Sequence, residues 1–263
     1  MTILAESFLE LDRYRDLLRT WTAREIKIRY KQSLLGGLWA ILQPLSVAII
    51  FSIIFSFFIK VPTDGVPHLI FYYAALFPWT LFATAVTTGS NSLVANLNLV
   101  TKIYFPREIL PLSGVMAALF DFTIAFFVYI GLAFLYKVSV GPSILLLFFL
   151  IAIQLLFTIS VVLVLAALNV FYRDIRFVVP LGLQIYMYST PLIYPVSTIP
   201  EKIRSFYMLN PMASLIHSYR AILVYGQWPE PIYLVSAFLI SVAFLLTAYI
   251  WFNKAARSFA DLI

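Results

Sequence analysis

Of 263 residues, 62% are hydrophobic and only 11% charged, with a formal net charge of +6. Soluble domains carry about 25% charged residues, so this chain cannot cover a water-facing surface; soluble enzymes, nucleic-acid binders and disordered proteins are excluded, and a polytopic membrane protein remains. The chain has no cysteine, which removes disulfides, thiolate nucleophiles and thiolate metal sites together.

Met1–Lys31 spreads its charges along the segment with no apolar core before Gln32, and so is not read as a signal peptide. Leu11, Tyr14, Leu18, Trp21 and Ile28 fall on one helical face. Arg13, Asp16, Arg24, Lys27 and Lys31 lie largely opposite, with Arg15 and Arg29 nearer the apolar side. This pattern predicts a helix in the cytoplasmic interface with its basic face toward anionic headgroups; a plain topological anchor has the same periodicity.

Six apolar runs then follow, each long enough to hold the roughly 20 helical residues that cross a hydrocarbon core. They lie within Gln32–Ile59, within Leu69–Thr101, at Ile109–Tyr136, within Val138–Tyr172 after Gly141–Pro142, at about Phe177–Tyr194 and at about Ile232–Phe252. The runs are continuous rather than alternating, so the expected class is all-α with no β-barrel. Thirteen Lys and Arg fall on one side of these spans and five on the other, which puts both termini in the cytoplasm. The single membrane domain 1–263 thus has an interface helix at 1–32, six helices over 33–253 and a tail at 254–263. Ile203–Trp228 contains His217, Arg220 and the break Asn210–Pro211, and reads as two short re-entrant or interfacial helices (about 200–226) on the outer side.

Four features carry candidate function. The loop Ala95–Pro111, bracketed by Pro106 and Pro111, mixes apolar, aromatic and basic residues. A short helix over Leu97–Tyr104 presents Leu99, Ile103, Tyr104 and Phe105 either to a partner protein or to lipid headgroups. Asp121 is the lone acid inside a run, a placement that costs about 2.5–3.5 kcal/mol, so it is read as a structural hydrogen-bonding group rather than a proton carrier. Trp79, Trp228 and Trp251 suit interface belts. Trp39, Phe51, Phe55 and Phe58, with Tyr186, Tyr188 and Tyr194, exceed what belts need; they are packing bulk, or a ring-lined pore on which sugars stack. Finally, no glycine is followed by lysine, so the chain has no phosphate-binding P-loop, and two histidines make no zinc hydrolase motif.

The run Arg29-Tyr30-Lys31-Gln32-Ser33-Leu34-Leu35-Gly36 with Trp39 and Pro44, and the run Leu99 to Pro111 (LVTKIYFPREILP), resemble the permease subunits of polysaccharide ABC exporters. Asn169, Tyr172-Arg173-Asp174, Pro191-Leu192-Ile193-Tyr194-Pro195 and Asn210-Pro211 extend the resemblance to nearly the whole chain. The type-2 exporter branch includes O-antigen (lipopolysaccharide) and teichoic-acid export permeases. The resemblance implies a homodimer in a bacterial inner membrane with two separate ATPase subunits that bring the ATP and Mg2+, so no cofactor belongs to this chain. It implies a coupling helix at about 97–105, with Leu97, Leu99, Lys102, Ile103, Tyr104, Phe105, Arg107 and Glu108 toward the ATPase. It implies a cytoplasmic gate at Ser33–Gly36 beside a rim (Arg24, Lys27, Arg29, Lys31) that attracts the pyrophosphate of an undecaprenyl-linked glycan. The first and fifth helices would line the channel and Ser205–Tyr225 would close its outer end. A secondary transporter would want an internal repeat and intramembrane ion ligands, and a membrane enzyme would want clustered acids or histidines. Neither pattern is present.

Overall fold

The computed structural model describes residues 13–31, 33–63, 65–138 and 141–259. Leu11 of the expected apolar stripe, Gln32 and the last four residues of the expected tail lie outside them. Among the described residues there is helix and no strand. Helix α1 covers Arg15–Tyr30 and α2 covers Trp39–Ile53, entered by a 3₁₀ turn at Gly36–Leu38 and extended by a π-helical stretch at Ile54–Phe58. Helix α3 is His68–Ala95, the short α4 is Leu97–Lys102, and α5 is Ile109–Leu135. A 3₁₀ turn at Pro142–Leu146 leads into α6 at Leu147–Phe171, then α7 at Ile175–Tyr188. Two short helices, α8 at Glu201–Tyr207 and α9 at Pro211–Leu223, precede α10 at Pro231–Arg257.

Five of these elements are long and apolar enough to cross a membrane: Gly36–Phe58, His68–Ala95, Ile109–Leu135, Pro142–Phe171 and Pro231–Arg257. The expected fifth run behaves differently. Its helix stops at Tyr188 after 14 residues, about 21 Å against a hydrocarbon core of about 30 Å. Pro191 and Pro195 account for the stop, because a residue that precedes proline is driven out of the α region. The break at Asn210–Pro211 does separate two short helices, and the Asn210 side chain caps α9 by accepting from the Met212 amide at 3.0 Å.

Helix α3 is the central post. It packs on α5, α6, α2, α9 and α7, and its stretch from Ile70 to Phe82 is buried apart from Thr80. Its closest neighbour is α5, where two glycines meet: a Cβ on Gly114 would stand 3.1 Å from the Gly89 nitrogen and 3.2 Å from its Cα. Small residues let helix backbones approach this closely, and in lipid such contact replaces the hydrophobic drive between helices. Gly114→Val should therefore force α3 and α5 apart. The expected loss is about 1–3 kcal/mol, read as a lower melting temperature in detergent.

Four long-range hydrogen bonds tie polar groups inside the bundle together. The Gln154 amide of α6 donates to the Pro78 carbonyl of α3 at 2.6 Å, and the Tyr219 hydroxyl of α9 donates to Gln154 Oε1 at 2.8 Å. The Tyr129 hydroxyl of α5 donates to the Leu223 carbonyl, and Asn169 donates to the Ser90 carbonyl at 2.9 Å. These bonds join α3, α5, α6 and α9 into one block. By contrast, α2 and α7 each bury a narrow stripe, with Ile49, Ile50 and Ile53 of α2, Phe57 of its π-helical extension, and Phe177, Leu181 and Ile185 of α7 exposed.

A second core cluster gathers Leu93, Val100, Phe105, Ile109, Ala166, Phe252 and Phe259, with Tyr14, Leu17, Leu18 and Trp21 packed against it. Both described ends of the chain therefore meet at one end of the bundle, together with the α3–α5 connection.

Candidate functional site

At that shared end the chain builds a small platform. Helix α4 is only six residues long, because Ile103 is extended and Pro106 disfavours helix at Phe105. The expected helix over 97–105 is thus helical for its first six residues and a turn for its last three. Phe105 is 6% exposed and sits in the end cluster beside Val100. It anchors the turn instead of facing outward, which corrects its expected presentation to a partner. Glu108 is also buried and accepts from the Tyr249 hydroxyl at 3.2 Å, while the Arg107 guanidinium lies 5.6 Å from the Phe259 ring centroid. Leu97 and Leu99 are half-buried and Lys102 is exposed. What points outward is Ile103 at 57% and Tyr104 at 87% exposure. Between α1 and α4 runs a groove lined by Trp21, Arg24, Asn96, Leu99, Lys102 and Ile103, and the Arg24 guanidinium both stacks on Trp21 and donates to Asn96 Oδ1 at 3.3 Å.

Helix α1 does not turn its whole basic set outward. Arg29 donates to Asp121 Oδ2 and the Tyr30 hydroxyl donates to Asp121 Oδ1. Arg29 lies 11 positions after Leu18, about 20° from it at about 100° per residue, so the face that buries Leu18 also aims Arg29 at α5. Ile28, expected on the apolar face, is exposed instead. Burial, and then the hydrogen bond to Asp121, pushes the Tyr30 hydroxyl above its usual range and keeps it the donor. Of the expected rim, Arg24, Lys27 and Lys31 are exposed and Arg29 is engaged. Ser33 and Gly36 stand half-buried in the turn that follows, where Gly36 takes φ +50°.

Beside the pair lies a cavity of about 240 Å³ lined by Arg29, Tyr30, Trp39, Gln43, Thr80 and Asp121, among others. Of the expected pore aromatics, Trp39, Phe58 and Tyr188 are exposed. Phe51 and Phe55 pack edge to face on each other at 5.6 Å and both touch Tyr72. Tyr186 lies against Trp79 and Phe82 and donates to Asn210 Oδ1, and the Tyr194 hydroxyl meets that of Tyr207 at 3.1 Å. Four of the seven rings are thus committed within the chain.

At the far end of the bundle, Arg220 of α9 is 3% exposed. Its guanidinium donates to the carbonyls of Phe71, Pro191, Leu192 and Tyr194 and lies 3.7 Å from the Phe71 ring centroid. One side chain thereby ties α9, the start of α3 and the segment after α7. In the sequence Arg220 is visible as a charge in an apolar stretch, but its four acceptors come from backbone that no residue pattern reveals. Among the described residues no cluster of His, Asp and Glu could hold a metal ion.

The comparisons agree with this geometry. A family model described as ABC-2 type transporter matches residues 16–224. An O-antigen export system permease protein RfbA of Klebsiella pneumoniae is 34% identical over 253 residues, covering 94% of this chain and 95% of that protein. The protein of the same name from Myxococcus xanthus is 34% identical over 257 residues, covering 97% and 98%. The polysialic acid transport protein KpsM of Escherichia coli is 24% identical over 216 residues, covering 79% and 81%. Long apolar helices around a central post, an exposed apolar turn at the end where the described ends of the chain meet, and a family match across most of the length point the same way: the chain belongs to the ABC-2 type transporter family.

Proposed function

We propose that this chain is the permease of an ATP-driven exporter that moves an undecaprenyl-pyrophosphate-linked glycan, of the O-antigen or teichoic-acid kind, across a bacterial inner membrane. It works as a homodimer beside two copies of a separate ATPase subunit, which bind the ATP and Mg2+. The observation that carries this reading is the exposed Ile103–Tyr104 pair, held rigid by the buried Val100 and Phe105 beneath it. An apolar pair on an anchored turn suits the groove of a partner protein.

Six crossings with both termini cytoplasmic accord with the end cluster. Tyr14, Leu93, Ala166 and Phe252 share that cluster, so the chain between α6 and α10 has to return to the far end. Helix α7 with the segment to Tyr194 is the stretch available for the return. The uncovered faces of α2 and α7 support a conduit between two copies, with Trp39, Phe58 and Tyr188 toward it. Helices α8 and α9 then close its outer end as re-entrant helices. A proton- or ion-driven transporter is disfavoured, because Asp121, the one acid within the five long helices, is already paired with Arg29.

The test is reconstitution in liposomes with the cognate ATPase and glycan lipid. ATP-dependent glycan translocation is expected from the complex and none from this chain by itself. ATP hydrolysis or uphill solute flux by the isolated chain overturns the proposal.

A further inference from the structure

We infer that the Arg29–Asp121 pair is a displaceable latch: a diphosphate headgroup takes the place of the Asp121 carboxylate on Arg29, and this exchange releases the end of α1 from α5. The inference rests on the lipid-linked substrate proposed above.

Consecutive residues of the last turn of α1 hold both oxygens of one carboxylate, Arg29 on Oδ2 and Tyr30 on Oδ1. Past them the grip ends. Lys31 turns extended, Leu34 is fully exposed and Gly36 sits at positive φ, and among the described residues no hydrogen bond joins 33–37 to α3 or any later helix. The pair is also reachable. Arg29, Tyr30 and Asp121 line the 240 Å³ cavity with Gln43 and Thr80 on a wall that is otherwise largely apolar (Trp39, Phe77, Leu81 and Phe122 among them), so the pair is the charged spot that a ligand entering it meets. On the other side of Tyr30, Lys27 and Lys31 share a surface groove with it.

The chemistry favours exchange. Asp121 brings one negative charge, whereas a diphosphate brings more than one, with oxygens spaced to take the guanidinium fork bidentately. Lys27 and Lys31 add attraction that the carboxylate, on the bundle side of α1, does not draw on. The Tyr30 hydroxyl, a single neutral donor, then parts from Asp121 with the end of α1, and the carboxylate is left at the wall of the cavity. Arg29 is the residue that both groups need, and it binds one at a time. Asp121 is thus an internal stand-in for the substrate anion, and the Ser33–Gly37 turn is free only when that anion is present.

The chain lacks cysteine, so a Ser33→Cys, Thr123→Cys pair can carry two spin labels without background. The full chain is placed in phosphatidylcholine nanodiscs, and both the inter-label distance and the binding affinity are read during titration with a polyprenyl pyrophosphate. The distance should widen in the otherwise wild-type chain. Arg29→Gln should weaken binding about tenfold or more, and Asp121→Asn should strengthen it by a comparable factor and widen the distance before any ligand is added. Opposite signs from the two halves of one ion pair are what a merely structural bridge does not produce. Equal weakening by both variants, or an unchanged wild-type distance, overturns the latch; the wild-type measurement stands even if Asp121→Asn fails to fold. Widening by free inorganic pyrophosphate also supports the exchange, because the diphosphate is the displacing group. Widening by phosphatidylglycerol alone overturns it. Glycan export is scored separately: export without widening sinks the latch alone, while widening in a complex that exports no glycan sinks the proposed function and keeps the exchange.

Discussion

Placing two acids on the outward turn, Ile103→Asp with Tyr104→Asp, should abolish ATP-driven export while leaving the chain folded and inserted. Both side chains are largely exposed, so the fold loses little when they change. Docked in a partner, each would bury apolar surface worth about 1.5–3 kcal/mol, and each carboxylate would be desolvated with no cation placed to meet it. A combined loss of about 4 kcal/mol is roughly a thousandfold in affinity. Copurification with the ATPase should therefore fail, and export with it, while the melting temperature in detergent stays near that of the wild type. Val100→Asp is the contrasting variant: it charges the buried support and should destabilise the chain itself. Export that survives the double change on the outer turn removes the docking role.

Arg220→Met should be the most damaging single substitution outside the glycines. Methionine is of similar length but has no donor, so the carbonyls of Phe71, Pro191, Leu192 and Tyr194 lose their shared partner at once. A buried acceptor left unsatisfied costs about 1–3 kcal/mol, and four of them approach the whole stability of an ordinary domain, about 5–15 kcal/mol. The contact with the Phe71 face goes as well. The expected result is a chain that does not accumulate in the membrane, or melts far below the wild type. Arg220→Lys should fall between the two, because three donors on one nitrogen cannot span four carbonyls from two segments. A methionine variant that melts with the wild type would remove Arg220 from its structural role.

The long spans were legible because uncharged runs of this length have one stable form in lipid, and residues such as Ile109 and Leu135 stand where the runs begin and end. The meeting of the described chain ends at one end of the bundle accords with the bias of Lys and Arg. The face of Arg29 was legible too, from its spacing to Leu18, although its partner Asp121 lies 92 positions away and no periodicity links them. Phe105 was misassigned for a physical reason. In an apolar loop between two spans, neighbouring residues point alternately in and out, and only packing on Val100 and Phe259 decides which. The same holds for the aromatics. Tyr186 and Tyr194 carry hydroxyls that find Asn210 and Tyr207, and a ring so tethered is unlike the loose Tyr188 that composition counts equally.

The Pro78–Gln154–Tyr219 chain of hydrogen bonds bears on how the molecule meets lipid. Three helices that share one amide shear only by breaking it, so the block around α3 is stiff. Compliance is left to the two lightly held helices, α2 and α7. In a bilayer thinner or thicker than the protein prefers, these two tilt first. Membrane thickness thus acts on the bore of the proposed conduit before it acts on anything else.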